Sequence, residues 1–519
     1  MPRQAGFEDI TLKNFSGLDL RGPSELLSNR SLQVFQNWEI GDIGQIKSRP
    51  GFQQKYDGTV FANNARFIGQ HSNDTGANQL IVQTISDNYT SKHGAGRLYY
   101  TNNGGVSWGS IGSVDYSCGR SVQYTNGLSY IPTAAGLHSW NGSTWTGPIA
   151  TSKNSSYNLV FAFDRLFTID NASKNIFYSD ANLPATWSGA NFDFKTDNKD
   201  NIVGILNYRD RLVVFFTNSI RIINIQGPPS SWTQKFFSYY MGVQSQNCYY
   251  VYNDLLYFLS SEGFFRTDLS QVEELSKPIA PALQTRWEAP DQPGGTWQRY
   301  QDSIGYWRQR FFITVRTSLG SAGSSSPAST YKMFCYNVKN GFWSEVILNI
   351  SNSDGLGWSP GVSYLPVFVG KKVAGNAQYN KPGLYMFTGD TSGRMYLFDD
   401  EDPVYYDGTS SATPYDCILR TRDIDGDVPA DWKRCYTYSV RKKESGGQAL
   451  SFMIILNGSN QGGWFYPTSS TTPKQLKLHG PGFFRTMSLQ IKDQYPQNTE
   501  IQEMTFKVKK KSGLTDYTT

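Results

Sequence analysis

The stretch NYRDRLVVFFTNSIRIINIQGPPSSW (Asn207–Trp232) decides how this chain is read. A polar turn leads into an apolar strand at Leu212, a second strand follows, and a tight turn closes on Trp232. The same pattern returns along the sequence. Six tryptophans follow turn tripeptides: Trp108 (GGVSW), Trp145 (NGSTW), Trp187 (LPATW), Trp232 (PPSSW), Trp297 (PGGTW) and Trp343 (KNGFW). Most steps between them are about 40–45 residues, the length of one four-stranded propeller blade. In phase with them runs a second series of polar turns and apolar strands, at Leu80, Leu128, Leu166, Leu212, Leu256 and Phe311. Two series in one period predict an all-β protein built on a β-propeller, with six blades favoured and seven possible. The tryptophans are expected to fill the space between adjacent blades, each indole N–H reaching a backbone acceptor.

Composition agrees. Aromatic residues make up 15% of the 519 residues and Gly numbers 49, a balance that suits strands and turns. A hydrophobic fraction of 38% suffices for a packed core at this length. The formal net charge of +5 is too small, and too evenly spread, to imply a nucleic-acid surface. The five cysteines, Cys118, Cys248, Cys335, Cys417 and Cys435, share no CxxC spacing and read as reduced thiols. No apolar stretch approaches a membrane span, and the first residues lack the apolar core of a secretory signal. Synthesis in a cytosol is expected.

Four regions follow from the punctuation. Residues 1–60 read as an N-terminal arm with lead-in strands, and residues 61–400 carry the repeat. Residues 401–415, acidic and rich in Ser, Thr and Pro, read as a linker. Residues 416–519 alternate as short strands and predict a β-sandwich. Within the repeat, QVEELSKPIAPALQTRW (Gln271–Trp287) is the best helical candidate, and Thr317–Thr330 reads as a flexible loop. GLYMFTGDTSGRMYLFDD (Gly383–Asp400) is a hairpin that supplies a seventh blade or closes the ring.

Several segments resemble the tail hub and nozzle proteins of short-tailed bacteriophages. They are KSRPGF (Lys47–Phe52), IFYSDANLPATW (Ile176–Trp187) and NIVGILNYRDRLVVFFTNSIRI (Asn201–Ile222). FFRTMSLQI (Phe483–Ile491), with Lys433–Arg434 upstream, resembles the sandwich that ends packaged-DNA-stabilisation proteins. The resemblance implies a virion component, made in the host cytoplasm, with six copies ringed about the tail axis. It would retain the packaged genome and pass it during ejection, in contact with tail adaptor and tail fibre or spike proteins. DNA would cross the lumen without sequence-specific binding.

Motifs for chemistry are sparse. TNNGGVSW (Thr101–Trp108) is a loosened Asp-box with Asn103 in place of Asp, a turn brace that supports the fold. Asp423, Asp425 and Asp427 alternate but lack the Gly and Glu of a calcium loop, so a polar turn competes with a weak calcium site. FDDED (Phe398–Asp402) reads as a solvated linker, with calcium or a basic partner as the other reading. His71, His93, His138 and His479 form no zinc motif, and neither GxxxxGK[ST] nor GxSxG occurs. Lys507–Lys511 (KVKKK) reads as a solvated edge strand blunted by lysines, or else as a phosphate or partner contact facing a neighbour. No catalytic, cofactor-binding or metal residue is assigned, no cofactor is implied, and the chain is expected not to be an enzyme. The competing reading is a carbohydrate-binding propeller or glycosidase acting on host surface glycans. It predicts exposed aromatics with carboxylates at the propeller mouth. A third reading is a monomeric cellular interaction propeller.

Overall fold

The computed structural model describes residues 7–23, 27–28, 30–56, 65–72, 78–85, 96–102, 107–114, 118–133, 135–150, 159–170, 175–187, 191–193, 200–243, 246–287, 302–318, 330–348, 367–368, 384–387, 395–398, 407, 415–424, 432–443, 450–460, 474–477, 483–494 and 499–510. The protein is almost wholly β, in multiple sheets, with one short helix at Ala280–Trp287 among the described residues.

Seven four-stranded antiparallel units recur among those residues. The second strands of the first six are Asn78–Ile85, Ser129–Thr133, Arg165–Asp170, Arg211–Phe216, Leu255–Leu259 and Arg310–Ser318. These are the apolar strands of the second sequence series. In units three to six a two-residue turn joins the first strand to the second, with both residues at positive φ: Phe163/Asp164, Arg209/Asp210, Asn253/Asp254 and Arg308/Gln309. Positive φ at both positions matches the twist of the flanking strands, and after Gly it is Asn and Asp that tolerate it best. The seventh unit combines Val367–Phe368, Leu384–Phe387 and Met395–Phe398 with Phe52–Tyr56 from near the N-terminus.

The tryptophans mark the approach to the fourth strand in five units. Trp108 and Trp232 immediately precede Gly109–Val114 and Thr233–Ser238, Trp145 opens Trp145–Ala150, Trp187 leads to Asn191–Asp193, and Trp343 lies in Phe342–Val346. Trp297 lies outside the described residues. The long step from Trp232 to Trp297 hides a complete unit, whose strands are Tyr249–Tyr252, Leu255–Leu259, Phe264–Thr267 and Val272–Glu274. Its last corner uses Asp268 in place of an indole. That carboxylate accepts from the Ser270 hydroxyl at 2.6 Å and from the Ser270 and Gln271 amides, which holds its pKa at about 2. Counting indoles therefore loses this unit. The same strand corrects the helical expectation: Val272–Glu274 is extended, and only Ala280–Trp287 is α-helical.

Buried side chains gather between successive units. Ile81, Leu98, Ile131 and Trp140 join units one and two; Tyr130, Leu137, Leu159 and Leu166 join two and three. Phe167, Ile176, Ile205, Val214 and Trp232 join three and four, and Phe52, Trp307, Phe312 and Phe398 join six and seven. The expected indole bond is made by Trp187, Trp232 and Trp343, which donate to the carbonyls of Pro184, Gly227 and Leu275 at 3.0, 3.2 and 2.8 Å. First strands of neighbouring units lie side by side, Tyr249 Oη donating to the Ile205 carbonyl between units four and five. Unit seven comes back against Ala65–Ser72 of unit one.

Two further sheets face each other at the C-terminal end. One contains Lys474–Lys477, Lys433–Lys443, Glu500–Lys510, Ile46–Ser48 and Trp38–Ile40. The other contains Ser31–Gln36, Cys417–Thr421, Met487–Asp493, Ser451–Leu456 and Ser459–Asn460. Early strands are thus woven among late ones, and Ser31–Gln36 also continues into unit six through Gln36 and Glu345. The strand Glu500–Lys510 pairs with Lys433–Lys443 on one side and with Phe7–Leu12 on the other. This corrects the reading of Lys507 and its neighbours as an edge strand: the alternation was right for a strand, but the N-terminal arm covers its outer side.

The weave is pinned by a buried ion pair. Arg49, from the KSRPGF segment, and Asp407 are 2% and 0% exposed, with Nη2–Oδ2 at 2.7 Å and Nη1–Oδ1 at 3.1 Å. The other Arg49 donors reach Asn37 Oδ1 and the carbonyls of Pro50 and Ile347. Asp407 also accepts from the Phe52 amide at 2.9 Å, and the Tyr415 ring lies 4.0 Å from the guanidinium. Burial alone would push the arginine pKa down, but the Asp407 charge carries it above its ordinary value.

Candidate ligand-binding platform

Where Thr233–Ser238 leaves unit four, the sequence FFSYYMG breaks the alternation of a half-buried strand. Phe236, Tyr239 and Tyr240 are 39%, 63% and 84% exposed. Isolated exposed apolar residues are ordinary, but three rings within five positions form a patch that needs a reason.

The patch is stacked from the interior outward. Buried Arg221 sits between two rings, 4.7 Å from the Phe216 centroid and 4.2 Å from that of Phe236. Phe236 in turn stacks on Tyr239, with centroids 4.2 Å apart and planes at 19°. A cation held between ring faces is attracted by both quadrupoles, so the ladder is fixed from beneath. The chain after it is fixed too. Ser238 Oγ accepts from the amides of Tyr240 and Met241, and the Val243 amide donates to the Phe216 carbonyl at 2.9 Å. A Cβ on Gly242 would stand 2.3 Å from that carbonyl oxygen and 2.5 Å from the Asn218 nitrogen, so only glycine fits.

Polar groups border the rings. The turn Thr217–Ser219 lies against Gly242, and Asn218 is exposed on it. The Asp200 carboxylate accepts from Thr217 Oγ1 at 2.6 Å, the Asn218 amide at 2.9 Å and Ser219 Oγ at 2.5 Å. Asp200 is therefore committed to holding the turn. Open aromatic faces, phenolic hydroxyls and an exposed carboxamide make a surface suited to a ligand with C–H faces and hydroxyl groups.

Near the starts of the first strands, Arg120 Nε donates to Asn247 Oδ1 at 2.9 Å, tying the approach to unit two to that of unit five. These units are not neighbours in the circuit. Beside Asn247, Gln246 is 1% exposed, and neither of its amide atoms has a hydrogen-bond partner among the described residues.

The residues singled out in the sequence stand elsewhere. Asp423 pairs with Arg420 at 3.5 Å, while Asp425 and Asp427, and Asp399–Asp402 of FDDED, lie outside the described residues. Among the described residues no three His, Cys, Asp or Glu side chains gather as a metal site. His71 and His138 are buried, which lowers both pKa values, and His71 Nδ1 lies 2.9 Å from Ser129 Oγ. His93 and His479 are outside the described residues, as is Asn103. The five cysteines are free and buried. The platform itself was missed, although its signal, adjacent aromatics past the end of a strand's alternation, was present.

No family model matches the chain, and no curated protein matches it. Among solved structures it is similar to the extracellular domain of a hybrid two component system from B. thetaiotaomicron, with 12% identity and a TM-score of 0.40 over 92% of this chain and 61% of that one. It is also similar to exo-beta-1,3-galactanase from Phanerochaete chrysosporium, with 10% identity and a TM-score of 0.25 over 85% of this chain and 100% of that one. The chain spans about three fifths of the length of the two component system domain. None of these scores reaches 0.5, and no residue role is carried over from them. The expectation that the chain is not an enzyme finds no support there: a glycoside hydrolase stands among the similar structures, and at this score it assigns the chain neither an activity nor the lack of one.

Proposed function

We propose that the chain is a seven-bladed β-propeller carrying a β-sandwich, and that it binds carbohydrate through Phe236, Tyr239 and Tyr240. The seven units, the return of unit seven against unit one and the completion of unit seven by Phe52–Tyr56 support the propeller. The observation that carries the binding reading is the ladder Phe216–Arg221–Phe236–Tyr239, a prearranged stack ending in solvent. Prearranged rings lose little freedom on binding, so contact with a sugar's C–H face is retained as affinity. A glycan array with the full chain tests this, followed by titration of the best neutral glycan. Tyr239→Ala with Tyr240→Ala should weaken binding by about thirtyfold, the effect of losing about 2 kcal/mol at a hot spot. Undiminished affinity in that variant, or no glycan bound, would end the reading. Release of sugar from the bound glycan would identify a glycosidase.

A second proposal keeps the tail nozzle or hub subunit of a virion. It is supported by where the resembling segments lie: KSRPGF supplies the Arg49 clasp, and FFRTMSLQI supplies Met487–Asp493 of the sandwich. Sedimentation and negative-stain images test it, with a six-fold ring as the expected outcome and a stable monomer as the refuting one.

A further inference from the structure

The platform rings stand at the outer end of a polar row. In unit four the strands alternate in direction, so the start of Ile202–Tyr208, the turn Thr217–Ser219 and the exit from Thr233–Ser238 share one end of the unit. Hydrogen bonds join them there. The Thr217 amide donates to the Asn201 carbonyl at 3.0 Å, and Asp200 holds the turn against which Gly242 packs. From Val243 the chain continues to Gln246 and Asn247, just ahead of the first strand of unit five at Tyr249. Polar residues therefore run inward from the rings: exposed Asn218, half-buried Asn201, then Gln246 beside the contact between Arg120 and Asn247. Three strand spacings separate the outermost strand of a unit from its first, about 14 Å, which a short oligosaccharide can span.

We propose that an oligosaccharide seated on the platform runs inward along this row and that Gln246 receives its inner end, an inference that rests on the carbohydrate reading of Phe236, Tyr239 and Tyr240. Gln246 is 1% exposed, and both of its amide atoms are without a hydrogen-bond partner among the described residues. A buried carboxamide with neither its donor nor its acceptor met is costly, and native structures seldom carry one without a use for it. A sugar ring meets both needs at once, because each hydroxyl donates as well as accepts. To reach a ring arriving from the row the carboxamide has to turn, which the three side-chain torsions of glutamine allow. The chemistry of the row favours a neutral glycan. Asn218, Asn201 and Gln246 are uncharged, and the Asp200 carboxylate is taken up by its three bonds to the turn.

The probe is the neutral glycan bound best on the array, prepared as its di-, tetra- and hexasaccharide and titrated into the full chain. Affinity should rise about tenfold from the disaccharide to the longer chains, the effect of one or two added hydrogen bonds. Gln246→Leu should lose that gain and bind the disaccharide as the parent does. Its melting temperature should not fall, because leucine fills a similar volume and leaves no polar atom unmet. Tyr239→Ala with Tyr240→Ala should weaken binding at every length, which separates the two ends of the path. No binding at any length would end the platform reading and this one with it. Disaccharide binding without a gain on lengthening, or a Gln246→Leu variant that keeps the gain, would overturn the inward path alone. So would a lowered melting temperature in Gln246→Leu, which would assign the carboxamide to the fold.

Discussion

Replacing Asp407 by Asn should loosen the seam where the early and late parts of the chain meet. The side chain keeps its shape but gives up its charge. Arg49 is then left 2% exposed, with a cation that no neighbouring carboxylate neutralises. Its five N–H donors are shared among Asn37, Pro50, Ile347 and the two Asp407 oxygens, so the amide nitrogen of the substituted side chain would also meet a donor head-on. Breaking a buried pair from one side costs about 3–5 kcal/mol. A protein of several sheets need not unfold in one step, so a single denaturation midpoint is a poor readout. Hydrogen exchange is better. The Phe52 amide bonds Asp407 directly, and Phe52–Tyr56 is the strand that completes unit seven. If the clasp holds that strand in place, exchange of its amides should speed up by roughly 10²–10³-fold, with little change in units two to four. Replacing both partners, Arg49→Met with Asp407→Leu, should restore most of the protection, because a well-packed apolar pair is often neutral or better. Exchange in Asp407→Asn within about twofold of the parent would refute the argument, as would a double variant no better than the single.

Gly242→Ala should displace the chain around Tyr239 and Tyr240, because its new Cβ meets the Phe216 carbonyl at 2.3 Å. A cost of about 1–3 kcal/mol and weaker neutral-glycan binding are expected, read by thermal melting and titration. Trp343→Ala should destabilise by about 3–5 kcal/mol and Trp343→Phe by less, since a 1% exposed indole loses both volume and its bond to Leu275; equal melting temperatures for parent and Ala variant would remove the packing role. His71 and His138 have pKa values lowered by burial, so the fold favours their neutral forms. Their contribution is full above about pH 6.5 and is lost as pH falls through the lowered values. Melting temperature should drop between pH 7.5 and pH 5, and His71→Gln should flatten that slope; an unchanged slope would count against it.

The repeat was legible because its signals are local. The turns with two residues at positive φ carry Asp or Asn in units three to five, though unit six uses Arg308 and Gln309, and a second strand buried on both faces is apolar after its first residue, as in RLVVFF of Arg211–Phe216. Both constraints act within ten residues, so each can leave its mark in the local sequence. The number of units was less legible because an indole is one solution among several to closing a corner. Unit five closes its own with Asp268, and unit seven borrows a strand from more than 300 residues away. The weave of Phe7–Leu12 onto Glu500–Lys510 left no local sign either, since pairing partners that far apart constrain only alternation.

The platform and the covered last strand divide along the same line. FFSYYMG violates strand alternation within a few residues, so the platform could have been found by asking which apolar residues the repeat does not need. The setting of the last strand could not, because Arg434 and Lys509 become neighbours only through register. Read singly, the lysines near the C-terminus resemble the blunting of an exposed edge. Paired across a covered strand, that explanation fails, since an edge already occupied by Phe7–Leu12 has no need of lysines to keep other chains away.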